Sequence, residues 1–244
     1  MVSDFVEIVS NPSGWWEMCK MFGRICLCMK LILQLLIDWV PVFFQMIYGL
    51  IKLSRVPRPY VTFFGGARFA QHEQYTQMAQ DLAEKLAGHD ISILTGGGPG
   101  IMQAANCGVS NLLPGVSKAR TMGITVSELN EGGVNACAQE QIALKYFFAR
   151  KWLLTKYSEA FVVFPGGFGT LDELMELLTL IKTKQLPVCP VILVGAAYWQ
   201  KLMDWLLQVA LKNQTITQSE LDLIIVTDNL VAVVDRIVAN CKQK

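Results

Sequence analysis

Charge is scarce in this chain. Asp, Glu, Lys and Arg make up 17% of its 244 residues, against 52% hydrophobic residues, where a soluble domain carries about 25% charge. The net charge of +1 supplies no global field to draw a polyanion. The tryptophans at 15, 16, 39, 152, 199 and 205 are not spaced as a base-stacking platform, so nucleic acid is not an expected partner. Histidine is nearly missing, and His72 and His89 stand far from any cysteine pair. The seven cysteines, at 19, 26, 28, 107, 137, 189 and 241, show no C-x-x-C spacing, so a zinc-ligand pattern is excluded. An odd count with no framework fits a reducing compartment, and all seven are expected as buried or incidental thiols. No Ser–His or Cys–His pair, internal repeat or low-complexity segment stands out.

Apolar sequence is abundant, and it is concentrated early, in residues 25–53. Between Lys30 and Lys52 lie 21 residues with one charge, Asp38, a length that can cross a bilayer. Asp38 at mid-span would cost about 2.5–3.5 kcal/mol, and Pro41 is expected to kink or break a helix into two shorter pieces. Lys30, Gln34, Asp38, Pro41, Gln45 and Lys52 fall on one narrow polar stripe. Asp4 and Glu7 and the late apolar run disfavour a signal peptide. Packing against the body or a second subunit is favoured. Membrane association through residues 25–53, on the surface or across it, is the alternative. Pro57-Arg58-Pro59 reads as a linker, which gives a helical extension over 1–56 and a second domain over 57–244.

Past the linker the pattern becomes strands alternating with helices. Strands are expected at 60–64, 91–94, 121–126, 160–164, 188–194 and 223–226. Helices are expected at 71–87, 101–109, 138–158, 171–184, 198–212 and 230–242. Short apolar strands separated by helices imply a parallel sheet covered on both faces. That is a doubly wound, Rossmann-like α/β fold, which binds ligands beyond the carboxyl ends of its strands. Glycine clusters at 65–66, 96–100 and 166–169 all follow strands, so all three should meet at that edge.

Two of these loops carry the chemistry. Pro165-Gly166-Gly167-Phe168-Gly169-Thr170 opens a helix after a buried strand, a ready-made anion site, and Glu173 follows one turn in. The bland reading is a capping box between Thr170 and Glu173. Gly96-Gly97-Gly98-Pro99-Gly100 lacks the Lys-Ser/Thr of a triphosphate loop and the third glycine of a dinucleotide fingerprint. A monophosphate suits it better than ATP or NAD, and a plain tight turn is the other reading.

Arg150 is the third element. Projected on the expected 138–158 helix, Ala143, Tyr146, Phe147, Leu153, Leu154 and Tyr157 share an arc with Arg150 at its middle. A guanidinium on a buried face needs an anionic partner. That partner is a ligand, or Glu173 in the empty site, unless the stem snorkels to the surface. Arg68, Glu176, His72 and His89 are weaker candidates, with surface or supporting roles.

Together, Pro165-Gly166-Gly167-Phe168-Gly169-Thr170 with Glu173, Phe147-Phe148-Ala149-Arg150-Lys151 and Gly96-Gly97-Gly98-Pro99-Gly100-Ile101-Met102 resemble the motifs of the Lonely Guy family, long labelled lysine decarboxylase-like. The resemblance covers roughly residues 59–238. It implies a Rossmann-like homodimer or higher homo-oligomer, cytoplasmic. The implied reaction is hydrolysis of the N-glycosidic bond of purine or cytokinin riboside 5′-monophosphates such as AMP, giving free base and ribose 5-phosphate. Arg150 and Glu173 are the implied catalytic pair. Gly97, Gly98, Gly100, Met102, Lys151, Pro165, Gly166, Gly167, Gly169 and Thr170 are the implied substrate-binding residues, with no metal or organic cofactor. Gly66 stands where the family often has serine, which removes one hydroxyl contact. The alternative is a non-catalytic carrier of a nucleotide or molybdenum cofactor on the same fold, and a third class is a membrane-associated nucleotide sensor. No lysine stands out as a Schiff-base former for a pyridoxal-phosphate decarboxylase.

Overall fold

The structure is a computed structural model that describes residues 12–113, 115–127 and 135–242, with side chains from residue 20 onward. Asp4 and Glu7, and the side chains of Trp15, Trp16 and Cys19, lie outside the described residues. By the packing of its Cα atoms the chain divides into Met1–Met46 and Ile47–Lys244. That boundary lies earlier than the 56/57 division expected from the prolines.

The first unit holds most of α1, Pro12–Leu53, one unbroken helix with Pro41 inside it. The expected break at Pro41 is therefore not there. In that unit Leu31, Leu33, Leu36 and Phe43 are all more than half exposed. The last turns of α1 belong to the second unit. Leu53 and Val56 are buried, and Lys52 pairs with Glu140 at 3.2 Å.

The second unit alternates strands and helices as the patterning requires. β1 (Tyr60–Phe64), α2 (Gln74–Ala87), β2 (Ser92–Thr95), α3 (Ile101–Ser110) and β3 (Thr121–Val126) come first. β4 (Glu140–Leu144), α4 (Phe147–Lys156), β5 (Ser158–Val163) and α5 (Phe168–Lys182) follow. β6 (Val191–Leu193), α6 (Ala196–Trp205), a π-helical stretch (Leu206–Leu211), α7 (Gln218–Leu221), β7 (Ile224–Val226) and α8 (Leu230–Lys242) complete the unit. All seven strands are parallel, in the order β4-β3-β2-β1-β5-β6-β7. The order reverses between β1 and β5, and such a switch point opens a crevice at the carboxyl edge of the sheet.

Alternation along β1 distributes its side chains to two cores. Val61 and Phe63 join Leu82, Leu86, Ile101 and Ile237 in the layer under α2, α3 and α8. Thr62 and Phe64 point the other way. The Thr62 hydroxyl donates to the Leu154 carbonyl of α4 at 2.7 Å, and the Phe64 ring stacks on Phe161 at 6.2 Å. Every residue of β1 is buried, as expected of a parallel sheet covered on both sides.

One expected element is replaced. Residues 138–158 do not form a single helix, because β4 occupies 140–144 and the helix begins only at Phe147. Glu140, Gln141 and Ala143 favour helix locally, but pairing with β3 from Met122 to Val126 overrides that preference. A second expectation also falls. Cys107 and Cys137 form a disulfide across 30 residues, with Cα atoms 4.8 Å apart, so not all seven cysteines are incidental thiols.

Candidate active site

The turns after β1, β2 and β5 meet at the switch point. The Gly66 amide donates to the Pro165 carbonyl at 2.9 Å, and the Ile101 amide to the Gly66 carbonyl at 3.1 Å. Gly100 sits at φ +67° with its Cα directly under the Gly66 carbonyl, where a Cβ would come within 2.5 Å of that oxygen. Its left-handed conformation and the contact both require glycine. Gly97, at φ +77°, packs on the backbone of Gly123. The Gly98 carbonyl accepts from Asn135 Nδ2 at 3.2 Å. These three glycines hold the 96–100 loop in place by packing.

Arg150 and Glu173 approach each other across this edge. Arg150 Nη2 lies 3.8 Å from Glu173 Oε1, and each side chain is 9% exposed. Arg150 Nε donates to the Ile124 carbonyl of β3, at 3.0 Å. The guanidinium also fills the space that a Cβ on Gly96 would take, beside the Met102 sulfur. Gly96 is thus an uncounted part of the site, since its missing side chain is what admits Arg150. The burial of Arg150 comes from α4 packing on the sheet. The projection expected Arg150 buried with Leu153 and Leu154, as it is, although Phe147 is exposed and Ala143 belongs to β4.

The capping-box reading of Thr170 and Glu173 is overturned. The N-cap of α5 is Gly167, with no side-chain cap, so Thr170 already lies in the first turn. Glu173 Oε2 is buried with no hydrogen-bond partner. Burial raises the Glu173 pKa from an ordinary 4.5 to about 7. Arg150 and Lys151 pull it down, and Asp172 and Glu176 push it up. Desolvation wins because 3.8 Å is too long for a hydrogen bond from Arg150. A carboxyl of this kind exchanges its proton near neutral pH, as a general base or acid must.

Lys151 does not point at Arg150's partner. Its ammonium bridges Asp172 at 2.6 Å and Glu176 at 2.7 Å, joining α4 to α5. Burial lowers its pKa, but the hydrogen bonds to the two carboxylates outweigh that and raise it overall.

Three of the helices that start at this edge have an amino-end amide already taken. At α3 the first amide is taken by Gly66. At α6 the Asp228 carboxylate accepts from the Gly195 and Ala196 amides at 2.6 and 3.0 Å. At α8 the Asn229 side chain accepts from Ala232 at 3.2 Å. At α5 the space over Gly167 and Gly169 is empty to 4 Å, and first-turn amides have no acceptor within their own helix. Gly166 lies beneath, where a Cβ would strike Thr170, and its carbonyl accepts from the Tyr198 hydroxyl at 2.5 Å. Asn135, Tyr198 and Asp172 were not singled out in the sequence, and Gly96 was named only as part of its loop, because their roles depend on contacts between distant segments. Among the described residues, no group of three or more His, Cys, Asp or Glu side chains could hold a metal ion.

The fold and these turns define a Rossmann-type domain with a glycine-rich helix terminus beside a buried Arg–Glu pair. The family model described as "Possible lysine decarboxylase" matches residues 102–237, more than half of the chain, and the chain belongs to that family. Its curated relatives include two proteins of Arabidopsis thaliana. One, named a probable cytokinin riboside 5′-monophosphate phosphoribohydrolase, is 31% identical over 125 residues, covering 48% of this chain and 56% of the relative. The other, named a cytokinin riboside 5′-monophosphate phosphoribohydrolase, is 32% identical over 125 residues, covering 48% and 53%. The chain thus spans about half the length of the relatives it matches. Among solved structures, the molybdenum cofactor binding protein of Rippkaea orientalis superposes with a TM-score of 0.55 at 20% identity. It covers 75% of this chain and 97% of its own. The molybdenum cofactor carrier protein of Chlamydomonas reinhardtii gives 0.52 at 22%, covering 75% and 99%. Identities this low show the shared fold alone.

Proposed function

We propose that this protein hydrolyses the N-glycosidic bond of purine or cytokinin riboside 5′-monophosphates such as AMP, releasing the base and ribose 5-phosphate. The observation that carries the proposal is Glu173, a buried carboxyl with one free oxygen and a pKa near neutrality, set one turn into the helix whose amino end is open. The 5′-phosphate sits on the first-turn amides of α5, at Gly167, Gly169 and Thr170. The ribose then lies over Glu173. The C1′–N bond breaks with its electron pair leaving on the base, and positive charge builds on the ribose ring. Ionised Glu173 stabilises that charge and takes the proton of the water that attacks C1′. The departing base takes up a proton, so base and sugar phosphate both leave closed-shell. Arg150 holds the ribose or phosphate and restrains the carboxylate. Pro165 and Gly166 set the loop, while Gly97, Gly98, Gly100 and Met102 form the opposite wall.

The α4–α5 face fits a homodimer or higher homo-oligomer, since Phe147, Phe148, Trp152 and Phe168 are exposed there. The expected setting is the cytoplasm, with residues 25–53 associated with a membrane.

Chromatography of a panel of nucleoside monophosphates, incubated with wild type and with Glu173→Ala, tests the reaction. Base release from at least one monophosphate, lost in Glu173→Ala, is the expected result. Tight binding of a nucleotide or of molybdenum cofactor with no base release from any of them would mark a carrier. Release that survives Glu173→Ala would remove the carboxylate from the mechanism.

A further inference from the structure

Helix α1 has no place in the catalytic reading, and its surface is unlike that of a soluble helix. Leu31, Ile32, Leu33, Leu35, Leu36 and Ile37 are each at least 50% exposed. Successive residues of a helix turn by about 100°, so these six spread over about two thirds of the circumference, and the remaining third carries Gln34, Asp38 and Gln45. An apolar surface this broad needs a cover of protein or lipid, and only 6% of the apolar window of α1 is buried.

Length and flanks choose between the two. Residues 31–51 lie between Lys30 and Lys52 and rise about 32 Å at ~1.5 Å per residue, against a hydrocarbon core of about 30 Å. Lys20, Arg24 and Lys30 precede the stretch, and Arg55 and Arg58 follow it, beyond Lys52, which is held by Glu140. Basic side chains at both ends suit the phosphates of two headgroup layers. An in-plane helix needs a broad polar face, but here only Gln34, Asp38 and Gln45 interrupt the apolar surface. Gln34 Nε2 lies within 3.3–3.4 Å of both Asp38 oxygens, so the one acid of the stretch has a partner one turn away.

The end of the helix is built into the folded α/β unit. The Tyr60 hydroxyl lies 2.9 Å from the Val56 carbonyl and 3.1 Å from that of Leu53. Gly49 lies against Leu153, with no room for a Cβ. Removing the apolar stretch as a leader would cut into this packing. We propose that residues 31–51 cross a lipid bilayer once, so that the α/β unit is held at a membrane surface and residues before Lys30 lie on the opposite side.

The full-length chain, with a C-terminal epitope, is expressed in cells and the membranes are washed with alkaline carbonate. The chain is expected to stay in the pellet at full length. Cys26 and Cys28, which are exposed and free, report the other side. In sealed vesicles an impermeant maleimide labels them only from the face opposite the epitope. The double variant Leu36→Lys with Val40→Lys alters two exposed positions and is expected to cut the carbonate-resistant fraction about tenfold or more. Its circular dichroism and thermal transition, measured in the same detergent as wild type, establish that it is folded. Four outcomes overturn the proposal. They are a chain soluble without detergent as a discrete oligomer, release by carbonate, cleavage before Leu53, and cysteines and epitope on one side.

Discussion

Replacing Glu173 with glutamine should stabilise the protein while stopping its reaction. The carboxyl is buried, one oxygen is unpartnered, and its pKa is about 7 against an ordinary 4.5. That gap corresponds to about 3 kcal/mol. The sign follows from where the proton sits. Below pH 4.5 both folded and unfolded chains hold it, and the group has no net effect. Between 4.5 and about 7 the unfolded chain has released its proton and the folded chain has not. Stability therefore falls as pH rises through that window, and above it the folded protein carries the full cost of a buried charge. Glutamine has the shape of the protonated acid and never ionises. Urea unfolding of wild type and Glu173→Gln should give similar stabilities near pH 5. At pH 8 the variant should be more stable by up to about 3 kcal/mol. Base release by the variant should drop about 10²–10⁴-fold at both pH values. A stability difference that does not change with pH, or a variant weaker at pH 8, would refute the account of Glu173 as a charge buried at a cost to the fold.

Further outcomes follow from the neighbours of this pair. Lys151→Met removes a cation that lowers the Glu173 pKa, so the acid limb of the pH–rate profile for base release should move to higher pH. Gly96→Ala places a methyl where the Arg150 guanidinium and the Met102 sulfur lie. It should destabilise the fold by about 1–3 kcal/mol and lower kcat, measured by urea unfolding and by base release. Cys107→Ser with Cys137→Ser opens a 30-residue loop and should cost about 3–4 kcal/mol, read from urea midpoints with and without reductant. Mass spectrometry of alkylated protein tests the disulfide directly. Alkylation of both cysteines without reduction would refute it.

Much of the site was legible because its signals are local. A glycine turn after an apolar strand marks the carboxyl edge wherever that strand lies in the sheet, so the turns at 65–66, 96–100 and 166–169 could be assigned to one edge before their contacts were known. Arg150 stood out as a charge amid apolar helix neighbours, and Glu173 as the acid one turn past a glycine motif. The long 138–158 helix failed because Glu140, Gln141 and Ala143 have no strand signature of their own. They become β4 by pairing with β3. The capping box failed because two residues decide where a helix begins, and Gly167 starts α5 earlier than Thr170 would.

The sequence by itself determined the α/β alternation, the parallel sheet, the edge where a ligand can bind and the chemical kind of its groups. Each of these rests on periodicity or on a short run of residues. Tertiary structure decided which helix termini are taken, since Gly66 and Asp228 reach the amino ends of α3 and α6 from segments far along the chain. It decided the Glu173 pKa, because desolvation depends on everything packed around the carboxyl. It also decided that α1 is one continuous helix with its apolar surface exposed. Composition shows how apolar a segment is, but only the packed chain shows whether anything covers it.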